Sequence, residues 1–329
     1  MLGGVGTPHC GLGFQLYPST SPQPRLNLPM PSTKRRAFLL PPALLLLAAI
    51  TATLLAPSSL AQTGKVFDDL SLRSEILDMD RKYAVYLPPD YETSARSYPV
   101  LYLLHGRGDD QTGWVQFGEV LHIADKAIRE GNATPMVIVM PDANAGTRGY
   151  FNDVNNEWRY EDFFFDEFVP YVESQYRIKS EKQYRAVSGL SMGGGGSFMY
   201  ALHRPDMFSS AAPLSALTGP LSVEQMREQL ESLGADLPSD EAVQAYFERH
   251  SAVELVRNLP EEELRSVRWY IDCGDDDYLY EGNALIHIAM RQREIPHEYR
   301  VRDGSHRWTY WRDSLPDVLW FVSQAFHKH

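Results

Sequence analysis

The sequence predicts an α/β fold with a mostly parallel central sheet, helices on both faces and a small helical insert. Three observations carry that expectation. Four short apolar runs, residues 98–104, 135–140, 184–188 and 267–273, lack the alternation of half-exposed strands. Runs of this kind read as strands buried on both faces, and such strands are usually parallel. Each run is followed by a segment of helical length: 119–129, 160–176, 194–203 and 282–293. Strand and helix in alternation define an α/β domain.

Taken in order, the first 61 residues stand apart. Lys34-Arg35-Arg36 precede a run that stays apolar to Ala56, and Ser59-Leu60-Ala61 offers small residues ahead of Gln62. A basic start, an apolar middle and a small-x-small exit make a secretory signal, with cleavage expected after Ala61 and a secreted or periplasmic destination. The competing reading is an uncleaved membrane anchor. Residues 1–29 are rich in Pro, Gly and Ser, so Met30 competes with Met1 as the start. The catalytic domain is then expected over 62–329, with Cys273 its one cysteine and a core that holds together without a disulfide. Cys273 lies in an apolar run and reads as a packed core residue.

Residues 66–77 and 82–89 read as strands at an antiparallel edge. In the helix expected at 282–293, Leu285, Ile288 and Ala289 share one face. The alternation breaks at 217–257, a polar helical insert with a capping box at Ser222-Val223-Glu224-Gln225 and apolar spacing through Val223, Met226, Leu230 and Leu233. A second insert helix is expected over 239–250, and residues 222–250 hold seven acids and two arginines. The insert is either a solvated excursion or a lid over a site. The formal net charge of −12 argues against nucleic acid or an anionic membrane as partner.

The chemistry centres on Gly189-Leu190-Ser191-Met192-Gly193, a G-x-S-x-G match between an expected strand and an expected helix. In that setting the serine sits on a strained turn with its Oγ exposed, and the helix N-terminus aims free N–H groups at the site. The neighbouring glycines leave room for the turn and for close packing of the helix on the sheet. Serine needs a base, and on this architecture the partners follow in the order Ser, Asp/Glu, His. Of the late histidines, His306 stands in a turn between an expected strand at 297–301 and the last helix, where an α/β site lies. The acid comes from the end of the preceding strand. Spacing leaves Asp275, Asp276 and Asp277 open. Three consecutive aspartates lack the alternating spacing of a calcium loop, and no metal or organic cofactor is expected. The oxyanion donors are expected to be the N–H groups of Met192 and Arg107, with His105 structural. Aromatics crowd the expected rim loops, among them Trp114, Phe117, Tyr150, Phe151, Trp158 and Tyr160. Trp158, Trp308 and Trp311 are the candidate substrate contacts; the bland alternative for each is ordinary packing.

The residues "LYLLHG", "GLSMGG" around Ser191, "CGDDDYLYEGN" from Cys273 and "GSHRWTYWRDSLPDVLWF" from Gly304 resemble the esterase D-like branch of the α/β hydrolases. That branch includes the feruloyl and acetylxylan esterases of carbohydrate esterase family 1, S-formylglutathione hydrolases and mycolyltransferases. The resemblance spans about 66–326 and implies an α/β-hydrolase fold. In that family the acid stands three residues after the glycine of the C-G motif, which here is Asp277. Two departures are the four-glycine run after Met192 and the insert at 217–257. The expectation is a secreted serine esterase acting through an acyl-enzyme on feruloyl or acetyl esters of polysaccharide. The alternatives are an acyltransferase with a sugar hydroxyl acceptor, and a non-catalytic binding protein on a hydrolase scaffold.

Overall fold

A computed structural model of the protein, describing residues 62–143, 149–234 and 239–327, carries eight strands. They are β1 (Lys65–Ser74), β2 (Met79–Leu87), β3 (Val100–Leu104), β4 (Val137–Pro141), β5 (Arg185–Leu190), β6 (Ser210–Leu214), β7 (Arg268–Gly274) and β8 (His297–Arg302). One sheet contains all of them in the order β1-β2-β4-β3-β5-β6-β7-β8. β1 and β2 pair antiparallel, β2 pairs antiparallel with β4, and every later pairing is parallel. The antiparallel edge stands where residues 66–77 and 82–89 placed it. Residues 1–61, where a signal segment is expected, lie outside the described residues.

Both faces of the sheet are covered. Along β3, Val100, Tyr102 and Leu104 join one core layer while Leu101 and Leu103 join the other. This is the period-two geometry of a strand buried on both sides, and it explains why the sequence shows no alternation. Phe163, Phe164 and Phe168 pack with Tyr102 and Tyr200 on the first face. Val120 and the last helix, Trp308–Phe326, cover the second. Full burial of each such ring contributes roughly 1.5–3 kcal/mol.

Three elements differ from expectation. β6 reads Ser210-Ala211-Ala212-Pro213-Leu214, too small and proline-bearing to signal a strand, yet it is central and buried. Its pairing with β7 skips Ala212 and Pro213, as a residue without an N–H requires. The helix expected over 160–176 contains a π turn, Phe163–Phe168, in which Val169 N–H reaches back five residues to the Phe164 carbonyl. Pro170 cannot donate, so the ladder slips ahead of it. In the helix Tyr280–Gln292 the buried side chains are Asn283, Ile286, Ala289 and Met290. Ile288 is exposed, so the face read from Leu285, Ile288 and Ala289 is rotated.

Among the described residues, the segment between β6 and β7 folds as four helices, Val223–Ser232, Asp240–His250, Ala252–Asn258 and Glu261–Arg265. Ser222 Oγ caps the first by accepting from Gln225 N–H at 3.2 Å, and the Gln225 carboxamide accepts from Leu221 N–H. Met226, Leu230, Val243 and Phe247 form a small core between the first two helices, while Leu233 stays exposed.

Candidate active site

Ser191 is the turn between β5 and the helix Met192–His203. Its φ of 55° and ψ of −116° lie where a residue with a Cβ is strained. Three backbone hydrogen bonds hold it there: Ser191 N–H to the Leu214 carbonyl, and its own carbonyl accepting from Gly195 and Leu217 N–H. The surrounding glycines owe their identity to contact distance, since none of those from 189 to 196 has a positive φ. A Cβ on Gly193 would stand 2.6 Å from the carbonyl oxygens of Leu104 and His105. One on Gly195 would stand 2.1 Å from the Leu217 carbonyl.

Ser191 Oγ lies 2.9 Å from His306 Nε2. On the other side of the ring, His306 Nδ1 lies 2.8 and 3.0 Å from the two carboxylate oxygens of Asp277. Asp277 is fully buried, while Asp275 and Asp276 are exposed. Asp275 instead accepts from Gly304 N–H, which ties the acidic loop to the loop bearing the histidine. Burial alone would raise the Asp277 pKa. Hydrogen bonds from His306, Leu279 N–H and Ser215 overcome that and hold it below the usual carboxylate value. An ionised carboxylate facing Nδ1 fixes the proton there and leaves Nε2 as acceptor for the serine hydroxyl.

Two side chains that the sequence did not single out complete the arrangement. Ser215, at the carboxyl end of β6 with φ 42°, accepts from Trp311 Nε1 at 3.0 Å and reaches the Asp277 carboxyl. Tyr278 holds its ring 4.5 Å from that of His306. A serine in a strained conformation is visible only once the strand before it is known. Tyr278 was hidden by the acids beside it.

Met192 opens its helix, so its N–H has no intrahelical acceptor. Arg107 N–H makes no backbone hydrogen bond among the described residues. Met192 and Arg107 line the cleft beside Ser191. His105 is buried, with Nδ1 bonded to the Gly106 carbonyl and Nε2 accepting from Ala143 N–H. Both ring nitrogens are thus engaged in shaping the turn.

Two adjoining chambers lie at this site, and Ser191 itself lines the first. One of about 360 Å³ is lined by Ser191, Leu217, Gln229, Leu233, Tyr278 and Leu279. The second, of about 310 Å³, is lined by Tyr150, Phe151, Trp158, Leu230 and Tyr246, with Asn152, Asp153 and Glu157 supplying polar groups. Arg107, Met192, Leu217, Gln229 and Leu233 border both. The insert helix Val223–Ser232 therefore walls the cleft and is no detached excursion. Of the three tryptophans singled out, Trp158 lines the second chamber, its Nε1 donating to the Gly149 carbonyl. Trp311 is buried edge-on against His306, and Trp308 packs edge-on against Trp114. Neither lines a chamber. Packing claimed them because their helix lies against the second sheet face. Trp114 and Tyr160 are likewise core. Cys273 is buried, and burial pushes its thiol up to about 12, the range of an inert core cysteine. Asp275, Asp276 and Asp303 cluster at the surface, all exposed.

The strand order and the turn at Ser191 define the α/β-hydrolase fold. Residues 74–322 match the family model described as putative esterase, and the chain belongs to that esterase family. A solved ferulic acid esterase is similar at 37% identity with a TM-score of 0.71, over 80% of this chain and 99% of that one. An S-formylglutathione hydrolase from Agrobacterium tumefaciens shares the fold at 23% identity and a TM-score of 0.64, over 80% of this chain and 95% of that one. Among curated proteins, an esterase of Mycobacterium tuberculosis is 37% identical over 145 residues, 43% of this chain and 29% of that protein. An endo-1,4-beta-xylanase/feruloyl esterase of Xylanibacter ruminicola is 35% identical over 143 residues, 41% of this chain and 19% of that protein. The matches thus cover less than a third of the length of these two curated relatives.

Proposed function

We propose that the protein is a secreted serine carboxylic-ester hydrolase that works through an acyl-enzyme on feruloyl or acetyl esters of polysaccharide. The observation that carries this reading is the unbroken chain from Ser191 Oγ through His306 to Asp277, at 2.9 and 2.8 Å, beginning on a strained turn. His306 takes the serine proton as Oγ attacks the ester carbonyl, and Asp277 stabilises the imidazolium. The N–H groups of Met192 and Arg107 receive the oxyanion, each such donor contributing about 3–4 kcal/mol to the transition state. His306 then gives its proton to the departing alcohol oxygen, and water reverses the sequence to free the acid. The second chamber, aromatic with polar groups at Asn152, Asp153 and Glu157, suits an aromatic acyl group bearing a hydroxyl. The ferulic acid esterase that is 37% identical supports the feruloyl choice. The n-region, apolar run and small-residue exit in 1–61 support export, with Gln62 as the expected N-terminus of the exported protein.

The test is hydrolysis of methyl ferulate and p-nitrophenyl acetate by the parent and by Ser191→Ala. The expected loss in turnover is about 10⁶-fold. A variant as active as the parent would remove Ser191 from the chemistry and overturn the reading.

A further inference from the structure

An ester has two sides, and the position of His306 assigns the chambers to them. The same imidazole that takes the serine proton must deliver it to the alkoxy oxygen of the leaving group. The alcohol therefore lies on the His306 side of Ser191. The chamber on that side is the one that contains Tyr278 and Leu279, and Tyr278 is the side chain in ring contact with His306 there. The aromatic chamber lined by Trp158 and Tyr246 is left for the acyl group.

We propose that Tyr278 is a specificity-determining residue, a stacking platform for the sugar ring of the ester's alcohol portion; this rests on the serine-esterase reading above. Four observations converge on it. Tyr278 is 71% exposed, more than any other large hydrophobic side chain described, although it lines the cleft that contains the nucleophile. An aromatic ring left that open is not serving the core. Its backbone is fixed, because Asp277–Tyr280 is a turn closed by Tyr280 N–H on the Asp277 carbonyl at 3.0 Å. One turn thus directs Asp277 inward to Nδ1 and Tyr278 outward along the ring of His306. Finally, the walls facing Tyr278 mix apolar and polar groups, with Leu217 and Leu233 beside the carboxamide of Gln229 and the hydroxyl of Ser232. A pyranose or furanose ring offers apolar C–H faces and hydroxyls at its edge, which match an aromatic face and a carboxamide. The Ser232 hydroxyl already donates to the Gln229 backbone carbonyl, and the exposed Gln229 carboxamide is free to bond a sugar hydroxyl, which an alkyl alcohol does not offer. Gln229, Ser232 and Leu233 belong to the insert, so the alcohol chamber is closed by the segment that departs most from the family pattern.

The experiment compares esters that share an acyl group and differ in the alcohol: methyl ferulate with feruloyl arabinofuranoside, and methyl acetate with an acetylated xyloside. kcat/KM is measured for parent, Tyr278→Ala, Tyr278→Trp and Tyr278→Phe. In the parent the sugar ester is the better substrate of whichever pair is turned over. Tyr278→Ala is expected to lower the ratio of sugar ester to methyl ester about tenfold, mostly through KM, while Tyr278→Phe and Tyr278→Trp keep it within about threefold. Because the ring is exposed, its removal is compatible with folding, and the thermal midpoint checks this. Equal losses on both esters of a pair, with a shifted pH profile of kcat/KM, would make Tyr278 a shield for His306 and overturn the proposal. A parent with no preference for the sugar ester also overturns it. Retained activity in Ser191→Ala is a separate result, and it would fell the esterase reading itself.

Discussion

Replacing Asp277 by Asn tests the site at the point where sequence spacing left three candidates. The carboxylate oxygen Oδ1 accepts from Leu279 N–H at 2.9 Å and lies 3.0 Å from His306 Nδ1, while Oδ2 lies 2.8 Å from Nδ1. An asparagine must place its NH₂ at one of these positions. At Oδ1 it would oppose the Leu279 N–H donor against donor, so it takes the position of Oδ2 and faces Nδ1. Nδ1 then has to accept, and the ring proton moves to Nε2. There it points at Ser191 Oγ, and the base can no longer take the serine proton. Loss of the correct tautomer with geometry intact costs roughly 10³–10⁴-fold in kcat, about 4–5.5 kcal/mol at 1.36 kcal/mol per tenfold. The assay is kcat on methyl ferulate or p-nitrophenyl acetate, with the thermal midpoint measured in parallel. Asp276→Asn, exposed and without contact to His306, is the control and is expected to stay within about twofold. A loss below tenfold for Asp277→Asn in a folded protein would refute the reasoning, as would an Asp276→Asn variant that falls further.

Gly195→Ala forces a Cβ to 2.1 Å from the Leu217 carbonyl, so backbone must move. Urea unfolding is expected to show a loss of about 1–3 kcal/mol, with kcat/KM falling as the elbow shifts; an unchanged midpoint and rate would refute the role given to this contact. His250 is buried in the insert, and burial, with the nearby His203 and Arg249, lowers its pKa to about 4 against the pull of Glu161 and the Tyr246 carbonyl. The unfolded chain binds that proton from about pH 6.5 downward and the folded chain only near pH 4, so this residue costs stability as pH falls through that window. The cost approaches about 3 kcal/mol by pH 4. Urea midpoints at neutral pH and near pH 5 should diverge in the parent and converge in His250→Gln, and equal pH dependence in both would refute the assignment.

What could be read in the sequence was what local chemistry encodes. β3, β4, β5 and β7 announce themselves because strands buried on both faces must be apolar throughout. Ser191 and His306 were legible because a strand, a glycine-flanked serine and a late histidine in a turn are local patterns. β6 was not, because its small residues answer to the helix packed over it: a Cβ on Gly194 would meet the Leu214 carbonyl at 2.6 Å. The choice among Asp275, Asp276 and Asp277 depends on burial, which adjacent acids do not reveal; only the family spacing pointed to Asp277. Trp308 and Trp311 illustrate the converse. Proximity to His306 in the chain gave them a claim on the cleft, whereas the last helix buries Trp311 in the core and sets the half-buried Trp308 against Trp114.

The two departures from the family pattern, the four-glycine run and the insert, prove to be one feature. Leu217 is the first residue of the insert, and its N–H donates to the Ser191 carbonyl at 2.9 Å. Its own carbonyl occupies the space where Gly195 would otherwise carry a Cβ, and Ala216 presses on Gly194 in the same way. The glycines thus let the root of the insert reach the backbone of Ser191. From that root the helix Val223–Ser232 runs along the cleft, and Gln229 and the following Leu233 border both chambers. A substrate that pushes on those side chains therefore acts on a segment hydrogen-bonded to Ser191 itself. Leu217, which borders both chambers, is thus also the residue whose N–H bonds the Ser191 carbonyl. Substitutions at Gly195 and at Leu217, which meet at the Leu217 carbonyl, are expected to have non-additive effects on kcat/KM.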